Sequence, residues 1–327
     1  MSTHRPTDSL ASFPPENPLR VVFMGTPQFA VPALDALGSI PGVAVVAAYT
    51  PPDRRRGRGQ NLAPSPVKQR AQQLGIPVEQ PATLRNSDAV RRLAEHTPDL
   101  VVVVAYGRLL PADVLDLPRF GCLNLHPSLL PRHRGPSPVA GAILDGDDTT
   151  GVTVMLLDPG MDTGPIIAQS RHPIAPTDNA ETLTAELFED GAHLLSQVIP
   201  GWVRGAVEAI PQDDARATYT SKMERADGLA DWTRKGEVLW RQQRAYTPWP
   251  GLYTNWDGKE VKLLDVTPIS DGYADPGIVA CADDEPIAVG CGDGMLAVRR
   301  LQLQGRRPAG AADFVRGYPH FIGAKLG

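Results

Sequence analysis

The sequence predicts an α/β chain, a doubly wound Rossmann-like sheet followed by a small OB-like β-barrel. Three observations carry this reading. Apolar, β-branched runs alternate with helix-period stretches up to about Gly205. Leu100–Val104 is apolar on both faces, as a parallel strand covered by helices must be. Beyond Gly205 the pattern changes to short strands broken by turn pairs such as Asp257-Gly258 and Asp283-Asp284.

Leu19–Met24 runs as a strand into Gly25, and Pro27–Leu37 then places Phe29, Ala33, Leu34 and Leu37 at helical spacing, with Pro27 suited to a first helical turn. Val43–Tyr49 is a second strand, and Cys122–Leu125 and Gly151–Leu157 are later ones. Helical stretches lie over 64–74, 87–95 and 138–144, and a long helix over 179–198 closes this half. A helix over 234–244 precedes strands over 252–256, 261–266, 278–282, 287–290 and 296–303. The expected division is a leader over 1–18, a first domain over 19–205 and a second over 206–327.

Composition narrows the possible functions. The 327 residues suit roughly two domains, and 42% hydrophobic with 21% charged residues excludes global disorder. A net charge of -5 excludes a uniformly basic nucleic-acid binder, so any such contact must sit in a local patch. Three cysteines, Cys122, Cys281 and Cys291, without a CxxC pair, make neither a disulfide framework nor a zinc signature. No apolar run approaches the roughly 20 residues of a membrane span. The Pro-rich start lacks a signal-peptide core and reads as a disordered leader, so a reducing cytoplasm is the expected compartment.

In an open α/β sheet, chemistry gathers at the carboxyl ends of the strands. Met24-Gly25-Thr26-Pro27 carries one glycine and is no GxGxxG, which argues against a dinucleotide site. Strand alternation puts Asn124 and His126 on one face. An amide donor beside an imidazole suits a reaction in which a carbonyl oxygen becomes negative; a capping Asn and a surface His would read the same way. Asp162, in the stiff loop 158–165, could orient His126 or serve as an ordinary turn acceptor.

Together, Asn124-x-His126, Ser128-Leu129-Leu130-Pro131 and Asp162 resemble the 10-formyltetrahydrofolate-dependent formyltransferase family. The resemblance runs from about Leu19 through Val22–Ala30, Ala63–Lys68, Val104–Gly107, Leu110-Pro111 and Leu130–Pro136. Thr247–Gly251 and Gly305–Pro308 extend it into the second domain and point to members whose acceptor amine is the methionine carried by initiator tRNA.

The resemblance implies formyl transfer from the folate co-substrate to that amine, with Asn124 holding the oxyanion. It assigns electrostatic stabilisation and proton transfer to His126. Asp162 would tune His126, raising its pKa, and relay the amine proton. No metal is implied, and His133 sits seven residues beyond His126 in a basic loop. The folate would lie beside Ser128, Leu129, Leu130 and Pro131, gripped by main chain around Arg108–Leu110; Leu129 and Leu130 also read as core. Phe29 is the implied wall of a methionine pocket, and equally a core aromatic.

Arg54, Arg55, Arg56 and Arg58, with Lys68 and Arg70, face only Asp53 over residues 53–70, a local charge of +5 on a loop suited to phosphate contacts. In the tRNA-acting members the matching loop enters the acceptor end. From Gly205 onward 15 basic residues stand against 17 acidic ones, but residues 299–327 again carry +5. A monomer without membrane attachment is expected. Competing readings are a formyltransferase for a small amine, a formylfolate hydrolase, and a noncatalytic RNA-binding adaptor; the intact Asn/His/Asp set opposes the last.

Overall fold

A computed structural model describes residues 17–56, 61–269, 272–282 and 284–327. The expected leader thus lies almost wholly outside the described residues. The chain forms two compact units. One holds the residues up to Gly135 with Thr150–His172 and Thr184–Tyr219; the other holds Pro136–Thr149, Pro173–Leu183 and Thr220–Gly327.

Elements follow in the order β1 (Leu19–Gly25), α1 (Val31–Ser39), β2 (Val43–Tyr49), β3 (Arg54–Arg56), β4 (Asn61–Ala63), α2 (Pro66–Gln73) and β5 (Val78–Glu79). Next come α3 (Ser87–Glu95), β6 (Leu100–Val104), α4 (Ala112–Leu115), β7 (Cys122–His126), α5 (Pro138–Asp145), β8 (Thr149–Leu156), β9 (Ile166–Pro173) and α6 (Ala180–Val203). Local chemistry sets several ends. Ser65 Oγ accepts from Lys68 N at 3.1 Å ahead of Pro66, and Asn86 Oδ1 accepts from Ala89 N at 2.8 Å. Gly146, at φ +73°, stops α5.

The first unit is a seven-stranded sheet in the order β5-β2-β1-β6-β7-β8-β9. β1 lies parallel between β2 and β6, and β7 is parallel to β6. Alternation sends Val21, Phe23, Val102 and Val104 to a core with α1, α2 and α6, and sends Val22, Met24, Val101 and Val103 to one with α3. Every residue of β6 is buried, and each such side chain contributes about 1.5–3 kcal/mol. The predicted double winding is therefore present. It is not purely parallel, because β8 returns antiparallel to β7, pairing Thr153 with His126. β9 and the β3–β4 hairpin have no counterpart in the sequence reading; the hairpin replaces the loop expected for the arginine run.

Residues 206–219 pack with the first unit rather than starting the second. Ile210 exchanges both backbone hydrogen bonds with Ile166, each at 2.7 Å, and Arg134 N donates to Thr218 O at 2.9 Å. Main-chain pairing, invisible in composition, thus joins residues 206–219 to the first unit.

The second unit carries α7 (Gly236–Ala245), β10 (Leu252–Trp256), β11 (Lys259–Ile269), β12 (Val279–Ala282), β13 (Glu285–Cys291), β14 (Gly294–Leu303), β15 (Ala309–Gly310) and α8 (Ala311–Gly317). Its antiparallel sheet runs β10-β11-β14-β13-β12, with β15 on β14, around a core that includes Leu263, Val289, Leu296, Val298 and Phe314. The expected OB-like barrel is here an antiparallel sheet in which β10 and β12 do not pair among the described residues. The last five residues tie its two ends instead. Val279 N donates to Ala324 O (2.9 Å), Leu326 N to Gly277 O (2.8 Å) and Gly327 N to Asn255 O (3.1 Å). No helix among the described residues is long and apolar enough to cross a membrane.

Gly151 marks the tightest packing under the loop that follows β7. A Cβ there would lie 2.1 Å from Ser170 O and 2.6 Å from Leu129 Cδ2. Gly151→Val should lower stability by about 1–3 kcal/mol in urea unfolding, the cost of overpacking a site that cannot yield on its backbone side.

Candidate active site

β7 delivers Asn124 and His126 to the same face of the sheet end. Asn124 is half-buried, and its side-chain amide has no hydrogen-bond partner among the described residues. His126 is only 4% exposed. Its Nε2 lies 3.0 Å from His133 O. A carbonyl can only accept, so Nε2 carries the hydrogen and Nδ1 of the neutral ring keeps its lone pair. Nδ1 faces Asp162 Oδ1 at 3.7 Å, longer than a direct hydrogen bond.

The expected rise in the His126 pKa is not what this environment produces. Burial is the largest influence and pushes the imidazole below its ordinary value, outweighing the nearby Asp162 carboxylate and the His133 carbonyl. A ring almost closed off from water loses more hydration on protonation than one carboxylate at 3.7 Å restores. Burial thus favours the neutral imidazole, with the Asp162 carboxylate facing its Nδ1.

Asp162 stands in the left-handed region at φ +54°, in the loop between β8 and β9. Its Oδ2 accepts from Gly135 N at 2.9 Å, and its carbonyl accepts from Gln212 Nε2 at 2.8 Å. Asp158 folds the rest of the loop by accepting from Gly160 N (3.0 Å) and Thr163 Oγ1 (2.8 Å). The turn reading suits Asp158, whereas the Asp162 carboxylate faces His126.

Ser128–Pro131 forms a tight turn beneath this pair. Ser128 is fully buried and its Oγ donates to Arg132 O at 2.7 Å. Thr153 Oγ1 donates to Ser128 O (2.6 Å) and accepts from Leu130 N (3.2 Å) and from Gln169 Nε2 (2.9 Å). Leu130 is buried, while Leu129 and Pro131 are partly exposed. Ser128 and Leu130 thus build the turn, leaving Leu129 and Pro131 as its accessible members.

A cavity of about 330 Å³ opens at the ends of β1, β2 and β6. Phe29, Tyr106 and Arg108 line it; Asn124, His126 and Asp162 do not. Phe29 stacks on Phe188 of α6 with ring centroids 4.6 Å apart. The Arg108 guanidinium donates to Pro81 O (2.8 Å) and Ala82 O (2.5 Å), while Leu110 packs against the α3-side core.

Asp53, just before β3, and Ala63, the last residue of β4, also line the cavity, so the backbone of the hairpin that carries Arg54, Arg55 and Arg56 starts at its rim. Arg58 falls outside the described residues. Lys68 and Arg70 do not belong to this group. Lys68 pairs with Asp53 at 2.7 Å and Arg70 with Asp35 at 2.7 Å. The Lys68 ammonium, with Gln80, holds the Asp53 carboxyl below its usual range.

Sequence reasoning missed Thr153, Gln169, Gln212 and Thr218. Only Thr153 left a signal, as a polar residue inside an apolar strand. Cys122 shares the strand face of Asn124, but burial pushes its thiol up to about 12, which leaves it inert as a nucleophile. Among the described residues no group of three or more His, Cys, Asp or Glu side chains could hold a metal ion.

The site thus brings together an amide donor, a buried imidazole and a carboxylate at a sheet end. The family model for formyl transferases matches residues 19–199, and that for the formyl transferase C-terminal domain matches residues 222–319. The chain belongs to the formyl transferase family, on the branch of the methionyl-tRNA formyltransferases.

Among its relatives are the methionyl-tRNA formyltransferases of Roseiflexus sp. (strain RS-1), 48% identical over 95% of this chain and 96% of that one, and of Geobacter sulfurreducens, 41% identical over 94% and 97%. The fold also resembles that of WlaRD, a sugar 3N-formyl transferase, at 16% identity and a TM-score of 0.63, covering 88% of this chain and 99% of that one. HypX from Aquifex aeolicus in complex with tetrahydrofolic acid matches at 19% identity and a TM-score of 0.61, covering 93% of this chain and 48% of that one.

The lowered His126 pKa makes a linkage prediction. Between the folded value and about 6.5 in the unfolded chain, the unfolded state binds more protons, so stability must fall as pH drops through this window. Urea midpoints compared between pH 7.5 and 5.5 should fall more for the wild-type protein than for His126→Gln. The His126 ring signals in NMR should titrate with a midpoint below 6.5.

Proposed function

We propose that this chain transfers the formyl group of 10-formyltetrahydrofolate to the α-amine of methionine esterified to initiator tRNA, with Asn124, His126 and Asp162 as the reacting-site groups. The observation that carries the reading is the pairing of a buried, neutral imidazole, its Nδ1 turned toward Asp162, with the unpartnered Asn124 amide on the same strand face.

The folate supplies an activated one-carbon acyl group and a nitrogen that leaves with a proton. This chain supplies the polar frame. The Asn124 N–H groups, with no internal partner to give up, donate to the formyl oxygen as it becomes negative. The attacking amine sheds a proton as it bonds to the formyl carbon, and His126 Nδ1 takes it. Asp162 then faces an imidazolium at 3.7 Å and offsets the cost of charging a buried ring. His126 returns the proton to the departing nitrogen. Leu129, Pro131 and the main chain near Arg108–Leu110 would hold the folate. The Arg108 side chain is occupied by two carbonyls and acts as a loop anchor.

The 330 Å³ cavity beside Phe29 is the proposed seat of the methionyl end. The hairpin bearing Arg54, Arg55 and Arg56, with Arg58 beyond, would then meet phosphates entering over the rim. In the second unit Arg299 is paired with Glu285 and Arg316 with Asp313, leaving Arg300, Arg306 and Arg307 as exposed charges for an RNA backbone. We assign catalysis to the first unit and RNA guidance to the second, in a monomeric cytoplasmic enzyme.

Two experiments test this. His126→Ala and Asp162→Asn should each lower kcat for methionyl-tRNA formylation by about 100-fold or more, and Asn124→Ala by about 100- to 1000-fold, without loss of the folded state. Wild-type kcat in all three would refute the assignment. Replacing Arg54, Arg55, Arg56 and Arg58 with Ala should raise KM for the tRNA while leaving folate affinity unchanged. The log–log dependence of tRNA binding on salt should become shallower by about 0.7–0.9 for each phosphate-binding arginine removed. Weakened folate binding with an unchanged salt slope would assign the hairpin to the folate site.

A further inference from the structure

Gln212 lies outside both family-matched segments, at the end of the run that pairs with β9. Its side chain uses three of its four hydrogen-bonding positions, both N–H donors and one oxygen lone pair. Nε2 donates to Asp162 O at 2.8 Å and to Gly164 O at 2.7 Å, and Oε1 accepts from Arg134 Nε at 2.9 Å. The amide can sit only one way round, because the reverse would set its oxygen against two carbonyls and its NH2 against a guanidinium. Arg134 is itself 1% exposed, and its other nitrogens reach Asp214 at 2.7 Å and the Tyr219 hydroxyl at 3.1 Å.

One of the two carbonyls that Gln212 clamps belongs to a residue under backbone strain. Asp162 is non-glycine at φ +54°, a conformation that persists only where neighbours over-determine it. Gly164 fixes the other side of the loop, since a Cβ there would lie 1.8 Å from Leu156 O. Loosening the clamp lets the Asp162 backbone relax. Its carboxylate would then swing away from the 3.7 Å position opposite Nδ1 and from its partner Gly135 N.

We propose that Gln212 is a positioning residue for Asp162: it holds the strained Asp162–Gly164 turn so that the carboxylate faces His126, and Arg134 orients it. The inference rests on the reading of Asp162 as a working group in formylation. A neutral amide is required because only it offers two donors and one acceptor together; a carboxylate would keep the Arg134 contact and repel both carbonyls.

The test is a double-mutant cycle on the full chain with methionyl-tRNA and 10-formyltetrahydrofolate. Gln212→Glu and Gln212→Ala should each lower kcat about 10- to 100-fold, the scale of an ångström's misplacement, with KM for both substrates within about twofold of wild type. Gln212→Glu, which keeps Arg134 paired, should melt at or above the temperature of Gln212→Ala yet turn over no faster. In an Asp162→Asn background neither change should lower kcat further, whereas a merely structural role would lower it in both backgrounds. Should Gln212→Ala fail to fold, Gln212→Glu decides alone. Wild-type kcat in Gln212→Glu, or additive effects with Asp162→Asn, overturns the inference. Wild-type kcat in Asp162→Asn alone overturns the underlying assignment instead.

Discussion

The burial of His126 is the constraint on which the site depends. A histidine closed off from water at a sheet end must give its one ring N–H a partner, and His133 O supplies it. That single bond decides the tautomer and turns the basic nitrogen toward Asp162, while burial, against the pull of this bond and of Asp162, favours the neutral ring. Every loop around it serves that arrangement. His133 can present its carbonyl because it takes a left-handed conformation at φ +57°, and its own N–H donates to Thr218 Oγ1 at 2.8 Å. Asp162 adopts the same rare conformation across the site. Two strained non-glycine residues face one imidazole, and each is held from the segment 210–219.

That segment reframes the division of the chain. Composition alone places it with the second domain, since it follows the long helix and contains no strand. Its hydrogen bonds place it in the first unit, alongside His126 and Asp162. Its side chains and carbonyls secure both loops that flank His126. The functional description of the first unit is therefore incomplete without residues well past α6.

The charge pattern is likewise sharper in three dimensions than along the chain. A local excess of five positive charges read from residues 53–70 counts Lys68 and Arg70, which are engaged by Asp53 and Asp35. Lys68 anchors the base of the β3–β4 hairpin through Asp53, and Asp53 in turn accepts from Gln80 at 2.9 Å. Asp53 and Ala63 line the cavity, which brings the backbone of the β3–β4 hairpin, where the sequence places Arg54, Arg55 and Arg56, to its edge. Two of the cations in that count thus serve the fold through their carboxylate partners.

Much of this was legible in the sequence. Periodicity placed β1, β2, β6, β7, β8, α2, α3 and α5 within a residue or two, because β-branched runs and helical spacing are local signals that burial reinforces; it missed β5 and β9, started the first helix four residues early and ended α6 five residues early. Alternation alone put Asn124 and His126 on one face, whereas spacing left their chemistry open, and the roles of Asn124, His126 and Asp162 came from the resemblance to the formyltransferases. Other features were decided only by tertiary structure. The direction of the His126 pKa shift depends on how much water the fold removes, which no neighbour in sequence reports. The antiparallel return of β8, the pairing of β9 and the tying of the second sheet by the last five residues are long-range main-chain bonds without a residue signature. Gln212 reads as one polar residue in a Pro-Gln-Asp loop. It gains its place at Asp162 only when the chain brings two carbonyls 50 and 48 residues distant in sequence within reach of its amide.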